Sequence, residues 1–142
     1  MSNAWPNFTE EMSPGSDRMN SARKVVFTRT LKEAPWGKYE PAIIIRDNVE
    51  QQVKELKEKD GKNIVIYGSA RLVQSLTVLG LIDEYHLLSF PIFLGDGKPI
   101  FKGMQSRLDL RLTESQTFSN GVTIHYYEPK SQGSSSETQG GR

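Results

Sequence analysis

Apolar positions along this chain change period several times, and each change marks an element. The run KVVFT at 24–28 is β-branched and aromatic with polar borders, which predicts a buried strand. A second short apolar run follows at 42–45. Asp47 with Glu50 three residues later has the spacing of a capping box, and Val49, Val53 and Leu56 then recur at helical intervals. Lys54, Glu55, Lys57, Glu58 and Lys59 form the wet face of that helix, and Gly61 stops it. The near-continuous apolar run at 63–67 predicts a third strand, and 69–79 predicts a helix with Leu72, Val73, Leu76 and Leu79 inward and Gly80 as its stop. Strand, helix and parallel strand in this order put helices on the sheet faces and ligand sites at the carboxyl ends of strands. Gly68 and Ser69 fall at such an end.

The last third changes to period two. Residues 84–90 read as a strand, and 91–99 as a turn-rich segment containing Gly95-Asp96-Gly97. Leu108, Leu110 and Leu112 then alternate with Arg107, Asp109 and Arg111. Asn120-Gly121 is a strong hairpin signal, and Val122, Ile124 and Tyr126 alternate on the return strand. The pattern predicts an α/β domain over 24–130, with a mixed sheet flanked by helices and ending in an antiparallel hairpin. Residues 1–23 are polar and broken by Pro6, Pro14 and Gly15, so they predict an irregular segment, a loop or a weak helix. Residues 131–142 hold no apolar side chain to offset the entropy of ordering, and read as a disordered tail.

Composition narrows the function classes. The 142 residues suit one domain, and 36% hydrophobic with 25% charged residues is ordinary for a globular protein. Eighteen basic and seventeen acidic residues give a net charge of +1, which argues against a dedicated nucleic-acid binder. No apolar run approaches the roughly 20 residues that span a bilayer, and no secretory leader is visible, so a soluble, cytoplasmic protein is expected. Without cysteine there is no thiolate catalysis and no disulfide. His86 and His125 are far apart and predict no metal site. Asp83 and Glu84 are adjacent, so on a strand they point to opposite faces and do not form an acid–base pair.

The chemistry concentrates at two short stretches. A Gly-Ser junction opening a helix offers unpaired N–H groups and a positive dipole end to a phosphate. Ser69 also suits a plain N-cap, worth about 1 kcal/mol, and both roles can hold together. Arg71 faces either the phosphates or solvent. Thr28 and Arg29 after the first strand combine a hydroxyl with a guanidinium fork suited to phosphate. Taken alone, that pair is more simply a strand end and a solvated loop cation.

VVFTRTL at 25–31, NIVIYGSARLVQSL at 63–76, GLIDEYHLLSFPIFLGDGKPIF at 80–101 and the closing FSNGVTIHYYEP together resemble the dihydrofolate reductase-like proteins related to the C-terminal reductase domain of the bifunctional riboflavin biosynthesis protein. The resemblance runs from Trp5 to Pro129. It implies a dihydrofolate reductase-like three-layer fold and an NADPH-dependent reductase, acting on a pterin-like or ribosylaminopyrimidine-like heterocycle, as a homodimer. It assigns Thr28 and Arg29 to the adenosine 2′-phosphate, and Gly68, Ser69, Ala70 and Arg71 to the pyrophosphate. Pro91 and the Gly95-Asp96-Gly97 turn match a segment bordering the family's active-site cleft.

The chain departs from the family pattern in two places. It has Tyr67 before a single Gly68 where many members have two glycines. It also lacks the first strand, the substrate-facing residues and the helix with a Gly-Arg motif that precede the match to Trp5. A truncated chain is therefore expected, with a dimer partner covering the gap as another account. No catalytic proton donor can be named, and the alternative function is a non-catalytic NADP-binding or dimerisation module.

Overall fold

A computed structural model describes residues 1–104 and 107–130, so the expected tail at 131–142 lies outside the described residues. The chain divides into two compact units, Met1–Gly61 and Lys62–Arg142. No helix among the described residues is long and apolar enough to cross a membrane.

The first unit is built on a parallel pair of strands, β1 (Val25–Phe27) and β2 (Ile43–Ile45), with Val25 opposite Ile43 and Phe27 opposite Ile45. The backbone extends this ladder at both ends, Ile43 N donating to Lys24 O at 2.9 Å and Thr28 N to Ile45 O at 3.0 Å. A parallel pair needs a long crossover, usually helical. Here residues 28–42 make that crossover without a helix, tied down by a bridge between Trp36 and Tyr39 and by Ala42 N donating to Ala34 O at 2.8 Å. Helix α2 (Val49–Lys57) follows β2 and turns Val53 inward, with Val49 and Leu56 half-buried beside it, as its periodicity predicts. Its start differs from expectation. The N-cap is Asn48 in the left-handed region at φ 54°, with no side-chain cap, and Asp47 pairs with Arg29 at 3.6 Å. Glu50 bonds Lys54 one turn on, at 2.6 Å, rather than closing a capping box.

Before β1, the segment 1–23 is more ordered than its sequence suggests. It carries a 3-10 turn (Trp5–Asn7) and a helix, α1 (Ser16–Ser21). Gly15 has no side chain with which to cap α1. The carboxylate of Glu10 substitutes, accepting from Gly15 N at 2.6 Å and Asp17 N at 3.1 Å. These backbone bonds, Gly15 first, hold the Glu10 carboxyl below its ordinary value. A carboxyl lowered in the folded state contributes stability above its unfolded value and loses that contribution as pH falls through the lowered one. Amide exchange within α1 is therefore expected to accelerate as pH drops below the ordinary carboxylate range of about 4, after allowance for intrinsic exchange. In Glu10→Gln the acceleration should vanish; equal pH profiles for the two proteins would remove the carboxylate cap from the account.

The second unit is organised by an antiparallel sheet in the order β3 (Tyr85–Ser89), β5 (Thr123–Pro129), β4 (Leu110–Thr117). The last two form the expected hairpin. Its turn differs in type: Phe118 and Val122 close a three-residue loop (Phe118 N to Val122 O, 2.8 Å), with Gly121 at φ +82°. β4 carries a bulge between Leu112 and Glu114, which interrupts the alternation read from the sequence and leaves Leu112 exposed on an edge strand.

Helix α3 (Ala70–Val78) starts at the Ser69 cap and ends as a Schellman motif, with Gly80 N to Thr77 O at 3.0 Å and Leu81 N to Leu76 O at 2.9 Å. Leu76 and Leu81, the apolar pair of that motif, are both buried. Thr77 is buried too, bonded to the Tyr85 hydroxyl at 3.1 Å, while Leu79 points outward.

The third strand expected at 63–67 does not form. Residues 62–69 join no ladder, and Ile64, Val65 and Tyr67 are more than half exposed. Propensity describes how a side chain fits a pleated, half-buried surface and supplies no partner; among the described residues this run has none. The described residues thus combine a parallel ladder, β1-β2, and an antiparallel one, β3-β5-β4, with helices, in the mixed α/β class the pattern predicts.

Candidate cofactor site

Thr28 and Arg29 leave the carboxyl end of β1 and enter a tight turn. The Thr28 hydroxyl oxygen accepts from Thr30 N at 3.3 Å and Leu31 N at 3.4 Å, and lies 3.4 Å from the Thr30 hydroxyl. It organises the turn as an acceptor, and its own O–H remains able to donate. Arg29 stands out from the turn, its side chain 83% exposed. Among the described residues its carboxylate partner is Asp47, at 3.6 Å from Nε, and a guanidinium fork carries further donors besides that one.

One further cation belongs to this corner and has no counterpart in the sequence reading. Arg46 directly follows β2, so it emerges at the carboxyl end of the neighbouring parallel strand. Its Nη2 donates to Leu31 O at 2.9 Å, and Nη1 reaches Arg29 O at 3.5 Å. Beside Arg46 a groove of about 280 Å³ runs along β2 and α2, floored by Val25, Ile43 and Leu56. A cation immediately after a strand was the available signal, but nothing in the spacing ties position 46 to positions 29 and 31.

Gly68, Ser69, Ala70 and Arg71 belong to the other unit. They follow the extended run 62–67 rather than the end of a paired strand, which corrects the placement expected for them. Gly68 sits at φ +89°, where an L side chain is strained, and the Gly68–Ser69 peptide is cis. Ser69 is the N-cap, its hydroxyl accepting from Leu72 N at 3.4 Å, and its carbonyl accepts from Val73 N at 3.1 Å. The N–H groups of Ala70 and Arg71 precede the helical ladder. No acidic residue occupies the first turn of α3, and Arg71 instead places a cation at the positive end of the helix. That charge opposes the macrodipole by a few tenths of a kcal/mol to about 1 kcal/mol, an arrangement that an incoming anion would reverse.

Both histidines lie in strands, His86 in β3 and His125 in β5. His86 bonds the Glu84 carboxylate and packs edge-on to Tyr126, and His125 stacks on Tyr127. No group of three or more His, Asp or Glu able to hold a metal occurs among the described residues. The Gly95-Asp96-Gly97 segment is a turn in which the Asp96 carboxylate accepts from Gly97 N at 2.7 Å.

Comparison with known proteins adds a family to this geometry. The family model described as the RibD C-terminal domain matches residues 1–124. The uncharacterized protein YyaP of Bacillus subtilis (strain 168) is 40% identical over 109 residues, which is 77% of this chain and 56% of that protein. YwjB of the same organism is 32% identical over 87 residues, 61% of this chain and 50% of that protein. The chain thus spans about half the length of the curated relatives it matches. Among solved structures, a protein provisionally assigned to riboflavin biosynthesis in Shewanella sp. PV-4 superposes with a TM-score of 0.67 at 26% identity, over 78% of this chain and 62% of that one. A pyrimidine reductase-like protein of Corynebacterium diphtheriae shares the fold, at a TM-score of 0.52 and 20% identity, over 63% of this chain and 40% of that one.

Proposed function

Because this chain belongs to the RibD C-terminal domain family, with the dihydrofolate reductase-like α/β fold of its solved relatives, we propose that it is an NADPH-dependent reductase. The observation that carries the cofactor half of this reading is the chemistry of the two donor sets. At the end of β1, Thr28 and Arg29 offer an O–H and a guanidinium fork. At the start of α3, the Ala70 and Arg71 amides and the Arg71 side chain sit at a positive helix end that holds no acid. Both sets suit phosphate oxygens, one a 2′-phosphate and the other a pyrophosphate. In this reading the bound cofactor supplies hydride, while the chain's own residues grip its phosphates and fix its position.

A heterocycle of the pterin or pyrimidine class is the proposed substrate, and a homodimer the proposed assembly. Their support is the family and the name of the Corynebacterium relative, not a residue of this chain. The second reading is a non-catalytic NADP-binding or dimerisation module. It draws on the chain spanning 56% and 50% of the two curated relatives it matches.

Titrating the protein with NADPH and NADH, followed by nicotinamide fluorescence, tests the cofactor claim directly. NADPH is expected to bind at least about tenfold more tightly, the worth of one charge-assisted contact to its extra phosphate. Equal affinities would remove the 2′-phosphate assignment, and no binding of either would remove the reductase and the NADP-binding module together. Cofactor binding without oxidation of NADPH by any pterin or ribosylaminopyrimidine would favour the module.

A further inference from the structure

We propose that Arg46 is the positioning residue of the phosphate turn, the group that holds Arg29 where a 2′-phosphate can meet it. This inference rests on the NADPH reading above and goes beyond it, because neither the family resemblance nor the sequence pattern involves position 46.

The crossover 28–42 has no helix to stiffen it, so its first residues depend on local bonds. Thr28 supplies those on the inner side, through long contacts of 3.3 and 3.4 Å to two amides. The outer side presents the carbonyls of Arg29 and Leu31, which have no strand partner. Arg46 meets both from 15 and 17 residues away, at 2.9 Å and 3.5 Å. A guanidinium does this well because its donors diverge in a fixed plane and two can address two carbonyls while others remain. An ammonium is a single point charge on a flexible stem and does not reproduce the fork.

Two consequences follow for an anion. The turn is held before the ligand arrives, so less ordering is needed on binding. Arg46 also brings a second positive charge to the carboxyl ends of the two adjacent parallel strands, next to Arg29 and opposite in effect to Asp47, which faces Arg29 at 3.6 Å. Position and charge predict different behaviour for a lysine at this site, which separates them.

The test measures NADPH and NADH dissociation constants for the wild type, Arg46→Ala and Arg46→Lys, with thermal midpoints recorded in parallel. Arg46→Ala should lower NADPH affinity by about 5- to 20-fold, less than the loss of the Arg29 contact itself because that contact is misplaced rather than removed, with NADH affinity held within about twofold and the thermal midpoint little changed. Arg46→Lys should fall close to the alanine variant. Full recovery of NADPH affinity in Arg46→Lys would overturn the positioning role and leave only charge. Equal losses for NADPH and NADH, or a large fall in thermal midpoint, would overturn it in favour of general destabilisation. Wild-type protein that binds neither dinucleotide overturns the cofactor reading and this role together, whereas wild-type preference for NADPH with an unaffected Arg46→Ala overturns this role alone.

Discussion

Arg29→Ala is expected to weaken NADPH binding by about 10- to 150-fold and to leave NADH binding nearly unchanged, the largest functional effect among single substitutions in the first unit. The magnitude follows from the roughly 1.5 to 3 kcal/mol of a hydrogen bond to a charged group, at about 1.4 kcal/mol per factor of ten. The selectivity follows from geometry. Arg29 is almost fully exposed, and its ion pair with Asp47 is long and solvated, so its removal costs the fold little. A loss confined to the phosphorylated cofactor is the signature of a 2′-phosphate contact. Parallel losses for both dinucleotides, or none, measured in the same fluorescence titration, would show that Arg29 is an ordinary solvated cation.

The largest stability effect is expected at Asn20. This side chain is 1% exposed and is bonded on both sides: Nδ2 donates to Trp5 O at 2.9 Å, and Oδ1 accepts from Trp36 Nε1 at 2.8 Å. Its backbone carbonyl accepts from Lys24 Nζ at 2.8 Å, and that ammonium lies 5.2 Å from the centre of the Trp36 ring. Burial pushes the Lys24 ammonium below its ordinary value, with the Glu40 carboxylate acting against that shift.

One amide therefore ties together the 3-10 turn, α1 and the crossover that carries Trp36. Asn20→Leu keeps the branched outline at a larger volume and leaves the Trp36 N–H and the Trp5 carbonyl without partners. Unsatisfied buried groups cost about 1 to 3 kcal/mol each, so for the two a loss of about 2 to 6 kcal/mol is expected in urea unfolding. Trp36→Phe removes the donor together with part of a buried ring and leaves the Asn20 Oδ1 unpaired, so it should lower stability as well. A change under about 0.5 kcal/mol in Asn20→Leu would mean that the network is not what orders residues 1–23.

The parts of this chain legible in its sequence are those decided by neighbours. The inward face of α2, the cap and Schellman ends of α3, and the β4–β5 hairpin depend on residues a few positions apart, and side-chain period and turn chemistry report them. The same logic found Ser69 and Gly68, since a cap and a left-handed glycine are local devices. The left-handed Asn48 start of α2 escaped because Asp47 and Glu50 have the right spacing for a capping box but find other partners in space, Arg29 and Lys54.

Only the tertiary structure decided what depends on distant partners. The apolar run 63–67 has every local mark of a strand, yet a strand exists only against a ladder, and none is present among the described residues. Asn20 and Arg46 are the converse case. A polar residue in a weak helix and a cation after a strand carry no distinctive pattern, yet one organises a buried network and the other clamps a turn. Their bonds reach across 15 to 17 residues, and such contacts are fixed by how the chain folds back, not by spacing along it. Local chemistry thus determined by itself the Ser69 cap and the turn at Gly68, whereas the folded first unit decided that Arg46 meets the turn after β1, because contacts between distant segments depend on how the chain folds back.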